Sequence, residues 1–294
     1  MPKVIPLAFF KSTHTGLSIC YTSRMNIIHG LVLSLVEGIT EFLPISSTGH
    51  LIITSQLLGI AQTEFIKSFE IAIQLGAVLA IVAFYWKTLV RDMRVWTRII
   101  AAFIPTGVLG LLLYSFVKAH LLGNMTIVVW ALLVGGAAML VVEQIVERKA
   151  KALTAGSTEK AKESSPAEPS IADLSYPRAI IIGAIQGISI IPGVSRAMAT
   201  IFGGLGVGLT RKTATEFSFL LAIPTMLAAT GLDLLKTSAT FTSQEFVALA
   251  VGFMGAFLAA LIAVKYLIGF VQHQSFRVFA WYRIAVAIVL LALL

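Results

Sequence analysis

Six apolar runs, each long enough to cross a bilayer as an α-helix, recur along this chain. They cover about residues 69–87, 99–118, 124–146, 215–234, 245–268 and 277–294. A spanning helix needs about 20 apolar residues. The chain is 57% hydrophobic and 12% charged, and a soluble domain has about twice that charged fraction. The sequence therefore predicts an all-α, multi-pass integral membrane protein whose partner is the lipid bilayer.

Two further apolar segments, at about residues 26–60 and 178–208, are interrupted by Gly, Pro and hydroxyl residues. Neither is a continuous span. Irregular backbone is tolerated at membrane depth only where protein or a cavity surrounds it. Each segment is therefore predicted to form a re-entrant helix pair, which enters the membrane and returns to the same side.

The two halves of the chain resemble each other at an offset of about 150 residues. The stretch Glu37–Thr40 parallels Gln186–Ser189, and Pro44 with Ser47 parallels Pro192 with Ser195. Such similarity indicates an internal repeat. We predict an unstructured N-terminal extension, a first repeat, a cytoplasmic linker loop and a second repeat, at residues 1–24, 25–146, 147–177 and 178–294.

Lys and Arg cluster in alternate loops, and this pattern predicts an orientation because cytoplasmic loops are enriched in basic residues. With the basic loop at 87–98 placed inside, the linker and the turn at 211–212 also lie inside. The halves then have opposite orientations, as in an inverted repeat whose two broken segments meet near the midplane. These loops account for the net charge of +8, and no basic patch interleaved with aromatic residues indicates nucleic-acid binding.

The stretch EGITEFLPISSTGH places two carboxylates, Glu37 and Glu41, four residues apart in an apolar segment. On a helix they share one face. Adjacent carboxylates repel unless a cation or a proton lies between them. The pattern therefore predicts a site for Mg²⁺ or Ca²⁺, or a carboxylate that acts as a base.

Three hydroxyl residues, Ser46, Ser47 and Thr48, follow Pro44 and precede His50. A hydroxyl in this position is typical of a helix cap. Ser46 or Ser47 is alternatively a nucleophile with His50 as its base.

The second broken segment supplies a cation in the stretch IPGVSRAMAT (191–200). Arg196 lies in an apolar run, where an unpaired charge is costly, so it requires an anion. Glu37, Glu41 or a bound phosphate would meet that need. Gly193 and the backbone donors that open the following helix suit anion binding. Together these residue types favour phosphoryl transfer, and the absence of a GxxxxGK[ST] motif argues against ATP-driven work.

The stretches EGITEFLPISSTGH (37–50), PGVSR (192–196) and EFSFLLAIP (216–224) resemble the bacterial undecaprenyl-diphosphatase family, also known as bacitracin-resistance proteins. The resemblance runs from about Met25 to the C-terminus. It implies an inner-membrane enzyme with interlocking inverted repeats and two re-entrant helix pairs. It also implies hydrolysis of undecaprenyl diphosphate to undecaprenyl phosphate and inorganic phosphate outside the cytoplasm, which recycles the cell-wall lipid carrier.

The family's motifs fall on defined positions of this chain. Its acidic motif falls on Glu37 and Glu41, its serine pair on Ser46 and Ser47, and its histidine on His50. Its arginine falls on Arg196, flanked by Ser195 and Thr200. The chain departs from the family pattern at Ala197 and Met198, where a small hydroxyl residue and a glycine are usual.

We expect Glu37 and Glu41 to bind Mg²⁺ or Ca²⁺, Ser47 to attack phosphorus or position water, His50 to relay a proton, and Arg196 to stabilise the phosphoryl oxygens. The alternative is a flippase for undecaprenyl phosphate, because inverted repeats with broken helices are also a transporter architecture. The oligomeric state stays open, a homodimer included.

Overall fold

The computed structural model describes residues 25–121, 124–155, 170–237 and 241–293, and α-helices account for most of this part of the chain. No β-strand occurs in these ranges. The helices are α1 (Ile27–Thr40), α2 (Ser47–Leu57), α3 (Glu64–Phe84), α4 (Trp86–Arg91), α5 (Met93–Phe116), α6 (Met125–Ala155), α7 (Tyr176–Gln186), α8 (Arg196–Gly206), α9 (Arg211–Thr237), α10 (Ser243–His273) and α11 (Arg277–Leu293).

Five helices of the described part are long and apolar enough to cross a membrane, namely α3, α5, α6, α9 and α10. They confirm a multi-pass membrane protein. The sixth predicted span is α11, a helix of 17 residues. The predicted linker at 147–177 needs correction at its start, because α6 continues as a helix to Ala155. The predicted extension at 1–24 lies outside the described residues.

The two broken segments each fold as two short helices separated by a turn. The first contains α1 and α2, of 14 and 11 residues, and the second contains α7 and α8, of 11 residues each. An 11-residue helix is about 16 Å long, whereas the hydrocarbon core is about 30 Å thick. None of these four helices could span the bilayer alone.

The turns before α2 and α8 share an unusual backbone conformation. Ser46 caps α2 with φ 75°, and Ser195 caps α8 with φ 71°. These are the non-glycine residues with positive φ in the described part of the chain. The seryl Oγ accepts a hydrogen bond from the third residue on, Gly49 N or Met198 N, at 3.2 Å in both turns. A side chain in this φ region costs about 1–2 kcal/mol, and such strain clusters at functional sites.

Small residues let the short helices approach the long ones closely. Helix α1 packs on α10, and α7 packs on α5. A Cβ atom added to Gly38 would lie 2.6 Å from the carbonyl oxygen of Ala256, and one added to Gly183 would lie 1.7 Å from that of Ala102. Close packing at small residues is typical of helices in membranes.

Arg283, on α11, holds both turns in place. Its side chain is fully buried and donates hydrogen bonds to backbone carbonyl oxygens of Pro44 at 3.3 Å, Gly193 at 2.9 Å and Val194 at 3.2 Å. It also donates to Ala131 and Leu132 of α6 at 2.9 and 3.4 Å. One guanidinium therefore satisfies carbonyl groups of both turns, which helix geometry leaves without partners.

We expect Arg283→Met to destabilise the fold, because it leaves several buried carbonyl groups without a donor, at about 1–3 kcal/mol each before relaxation. The unfolding midpoint in detergent should fall by roughly 5 °C or more. Arg277→Met is the matched control, since Arg277 lies on the same helix but pairs with Glu147 at a more exposed position. Equal midpoints for the two variants would contradict this role for Arg283.

Candidate active site

The carboxylate of Glu41 lies at the centre of the site. Its Oε2 accepts a hydrogen bond from Ser47 Oγ at 2.5 Å. Its Oε1 accepts from Arg196 Nη2 at 2.9 Å and from Arg196 Nε at 3.2 Å. All three side chains are buried. Of the partners predicted for Arg196, namely Glu37, Glu41 or a bound phosphate, the structure pairs it with Glu41.

The same contacts bring two helix N-termini together. Ser47 is the first residue of α2, and Arg196 is the first residue of α8. Free backbone N–H groups and the helix dipole make such ends favourable for anions. Side chains from two helix N-termini thus meet at one carboxylate, and the same set suits a phosphoryl group.

The third nitrogen of the Arg196 guanidinium binds to α9. Nη1 donates to the backbone oxygen of Ser218 at 2.9 Å. The hydroxyl of Ser218 shares a hydrogen bond with Thr200 Oγ1, which also donates to the carbonyl of Arg196. Phe42, next to Glu41, packs edge-to-face on Phe219 with ring centroids 5.1 Å apart. Polar and apolar contacts therefore hold the first turn and α9 in one arrangement.

Glu37 is fully buried beside Glu41. Neither of its carboxylate oxygens forms a hydrogen bond of good geometry with a donor in the described part of the chain, although the side chains of Glu41 and Ser47 lie close enough to interact with it. A buried carboxylate without a donor is costly, so its environment calls for a cation or a proton. Among the described residues, no group of three or more His, Cys, Asp and Glu side chains converges. Two carboxylates suit Mg²⁺, which keeps several waters and needs few protein ligands.

His50 does not contact Ser47. Its Nδ1 lies 2.7 Å from the backbone oxygen of Ser46. Since a carbonyl only accepts, Nδ1 carries a proton. Its Nε2 lies 2.8 Å from the hydroxyl of Tyr282, and the two rings are stacked. The predicted pairing of Ser47 with His50 as its base is therefore replaced by a hydrogen bond to Glu41, because both nitrogens of His50 are engaged elsewhere.

The other predicted residues occupy defined places around this centre. Thr48 lines a cavity next to Ser47. Gly193 has φ 95° and presents its carbonyl to Arg283. Ser46 and Ser195 are the helix caps, and Thr200 lies behind Arg196. Ala197 is fully buried, and as an alanine it offers no hydroxyl at the position where the family usually has one.

Comparisons with known proteins identify the family of this chain. The family model described as bacitracin resistance protein BacA matches residues 30–289. This chain belongs to the BacA family. A protein of Aquifex aeolicus named undecaprenyl-diphosphatase is 48% identical over 259 residues, which are 88% of this chain and 95% of that protein. Proteins of the same name from Wolinella succinogenes and Persephonella marina are each 46% identical over 267 residues, which are 91% of this chain and 98% of theirs.

Sequence reasoning missed three residues of the site in this BacA-family chain, namely Ser218, Tyr282 and Arg283. Ser218 lies in the EFSFLLAIP stretch, but nothing about an isolated serine marks its carbonyl as a partner of arginine. Arg283 did carry a signal, because an ionisable residue in an apolar run requires partners within the protein. The argument applied to Arg196 applies equally to Arg283.

We expect Glu41→Gln and Arg196→Met each to destabilise the fold, since removal of one partner from a buried pair costs about 3–5 kcal/mol. The double variant should lose clearly less than the sum of the two, because it leaves no unpaired buried charge. The check is the free energy of unfolding of the four proteins. Asp92→Asn with Arg94→Met, an exposed pair, should give near-additive small losses. Additive losses at Glu41 and Arg196 would contradict a direct pair.

Proposed function

We propose that this chain is a membrane phosphatase that hydrolyses undecaprenyl diphosphate to undecaprenyl phosphate and inorganic phosphate. The observation that carries the proposal is the carboxylate of Glu41 between Ser47 and Arg196. The relatives named undecaprenyl-diphosphatase cover nearly the whole chain, and the family name links it to bacitracin resistance.

In the reaction, Ser47 loses its proton to Glu41 Oε2 and its Oγ attacks the terminal phosphorus. The bond from that phosphorus to the bridging oxygen breaks, and its electron pair leaves on the lipid phosphate. Water then attacks the phosphoserine and the bond from its phosphorus to Ser47 Oγ breaks. Glu41 returns its proton to that oxygen, and the protons of the water leave with inorganic phosphate. The hydrogen bond between Ser47 and Glu41 supports this order. Direct attack by a water held by Ser47 and Glu41 gives the same products.

Arg196 stabilises negative charge on the transferred phosphoryl oxygens. Its charge is compensated by Glu41 before substrate arrives, so the phosphate takes over donors that now bind the carboxylate. Glu41 is thereby released to accept the proton of Ser47. The bond to Ser218 keeps the guanidinium in place during this exchange.

Glu37 and Oε1 of Glu41 would hold the divalent cation, Mg²⁺ more readily than Ca²⁺, once Arg196 has turned from Glu41 to the phosphate, while Oε2 of Glu41 takes the proton of Ser47. When bound, the cation neutralises charge on the diphosphate. The two unpartnered oxygens of Glu37 support this assignment. His50 and Tyr282 orient the first turn of α2. Both ring nitrogens of His50 bind other groups, so His50 has no direct hydrogen bond through which to take the proton of Ser47.

The matching strained caps at Ser46 and Ser195 support an inverted repeat with two re-entrant helix pairs. The distribution of Lys and Arg supports a bacterial inner membrane orientation with the site facing outward. That position lets the lipid tail remain in the bilayer while the diphosphate reaches water.

Ser47→Ala should lower phosphate release from a short polyprenyl diphosphate by at least about 100-fold, because the attacking or positioning hydroxyl is lost. His50→Ala, in the same helical turn, should cost less than about tenfold, since His50 does not contact Ser47. Release of inorganic phosphate from purified protein in detergent measures both. Full turnover by Ser47→Ala would exclude the nucleophile role, and no release by folded wild type would favour lipid flipping without chemistry.

Removal of divalent cations with EDTA should abolish turnover, and Mg²⁺ should restore it. Glu37→Gln should raise the half-saturating Mg²⁺ concentration by about tenfold or more, since one charged ligand is lost. Glu147→Gln, a more exposed carboxylate paired with Arg277, is the control and should leave it unchanged. An unaltered Mg²⁺ dependence in Glu37→Gln would remove Glu37 from the cation site.

A further inference from the structure

A cavity of about 250 Å³ lies between α3, α5 and α9. Thr48 from α2 and Ser189 and Pro192 from the second turn border it. Thr48 follows Ser47 directly in the chain. The cavity therefore reaches the residue that follows the candidate nucleophile.

One wall of the cavity is apolar and built from small residues. Gly107 and Gly110 of α5 and Ala228 and Ala229 of α9 line it. A Cβ atom added to Gly110 would have no atom within 4 Å, so this face is open. A narrow apolar slot next to a phosphoryl-transfer site suits the first units of a lipid chain.

Other residues of the lining are polar, and one of their buried atoms has no hydrogen-bond partner. The Oε1 atom of Gln62 is buried without a hydrogen-bond partner, and Gln74 and Thr48 line the same space. Glu70 is held on one oxygen by Ser55 at 2.9 Å and by Gln62 at 3.1 Å. Converging polar groups at the end of an apolar cavity are typical of a ligand-binding site.

Among the described residues that line the cavity, Lys67 is the one with a positive charge. Its side chain is 17% exposed, and its Nζ lies 3.2 Å from Glu64, whose side chain is 64% exposed. Such an exposed ion pair contributes little, so a phosphate can replace Glu64.

We propose that Lys67 binds the phosphate that stays on the lipid, and so recognises both the diphosphate and the monophosphate product. The inference rests on the proposed function. When the bridging bond breaks, its electron pair passes to the lipid phosphate, and Lys67 stabilises that charge. Arg196 thus binds the phosphate that is transferred, and Lys67 binds the phosphate that stays on the lipid.

The experiment compares wild type, Lys67→Gln, Lys67→Arg and Lys87→Gln. Lys87 is the control, because it is an exposed lysine of α4 outside the described cavity lining. Binding of farnesyl monophosphate is measured by calorimetry, with farnesol as the probe that lacks phosphate. Inhibition of phosphate release by farnesyl monophosphate and by inorganic phosphate is measured in parallel.

Lys67→Gln should weaken farnesyl monophosphate binding by about tenfold, since a charge-assisted contact is lost, and should raise KM more than it lowers kcat. Lys67→Arg should restore most of the binding. Monophosphate binding by Lys87→Gln should stay within about twofold of wild type, and so should farnesol binding and inhibition by inorganic phosphate in Lys67→Gln.

Unchanged farnesyl monophosphate binding in Lys67→Gln would overturn the proposal. Equal weakening of farnesol binding would also overturn it, because the loss would then come from packing. Weaker inhibition by inorganic phosphate alone would place Lys67 at the transferred phosphate instead. Absence of phosphate release by wild type would count against the proposed phosphatase, while the monophosphate binding data would still decide the role of Lys67.

Discussion

The buried contact of Glu41 with Ser47 and Arg196 is the interaction on which the site depends. A guanidinium and a carboxylate at this depth are tolerated only as a pair, because either charge alone is expensive to bury. The pair joins the first half of the chain to the second, so the same contact that compensates the charges also assembles the candidate catalytic groups. The fold and the candidate site therefore both require this buried ion pair.

The turns that carry these groups have a second requirement, which Arg283 meets. Strained backbone at Ser46 and Ser195 places Ser47 and Arg196 at the first positions of their helices. Its carbonyl groups need donors, and water is scarce in an apolar interior. A single buried guanidinium from α11 donates to both turns and to α6. The positions of the two site-bearing turns are therefore tied to each other through one side chain.

The cavity has both polar and apolar lining residues. Polar and charged groups line part of it, Thr48 among them, while Gly110 and its neighbours leave an open apolar slot. A substrate with a charged head and a long apolar tail fits such a space, whereas a small soluble phosphate ester would leave the slot unfilled. The shape thus favours the same class of substrate as the site chemistry.

The sequence by itself determined the membrane class and the two broken segments, and together with the family resemblance it predicted that Glu41, Ser47, His50 and Arg196 belong to one site. Apolar length, Gly and Pro interruptions and the cost of an unpaired arginine are local properties, so they can be read along the chain. Only the tertiary structure decided that Ser47 hydrogen-bonds to Glu41 instead of His50 and that α6 continues to Ala155. It also decided that Arg283 binds both turns, that Ser218 binds Arg196 and that Lys67 lines the cavity. These outcomes depend on how distant helices pack, since each contact joins residues that local sequence patterns cannot align.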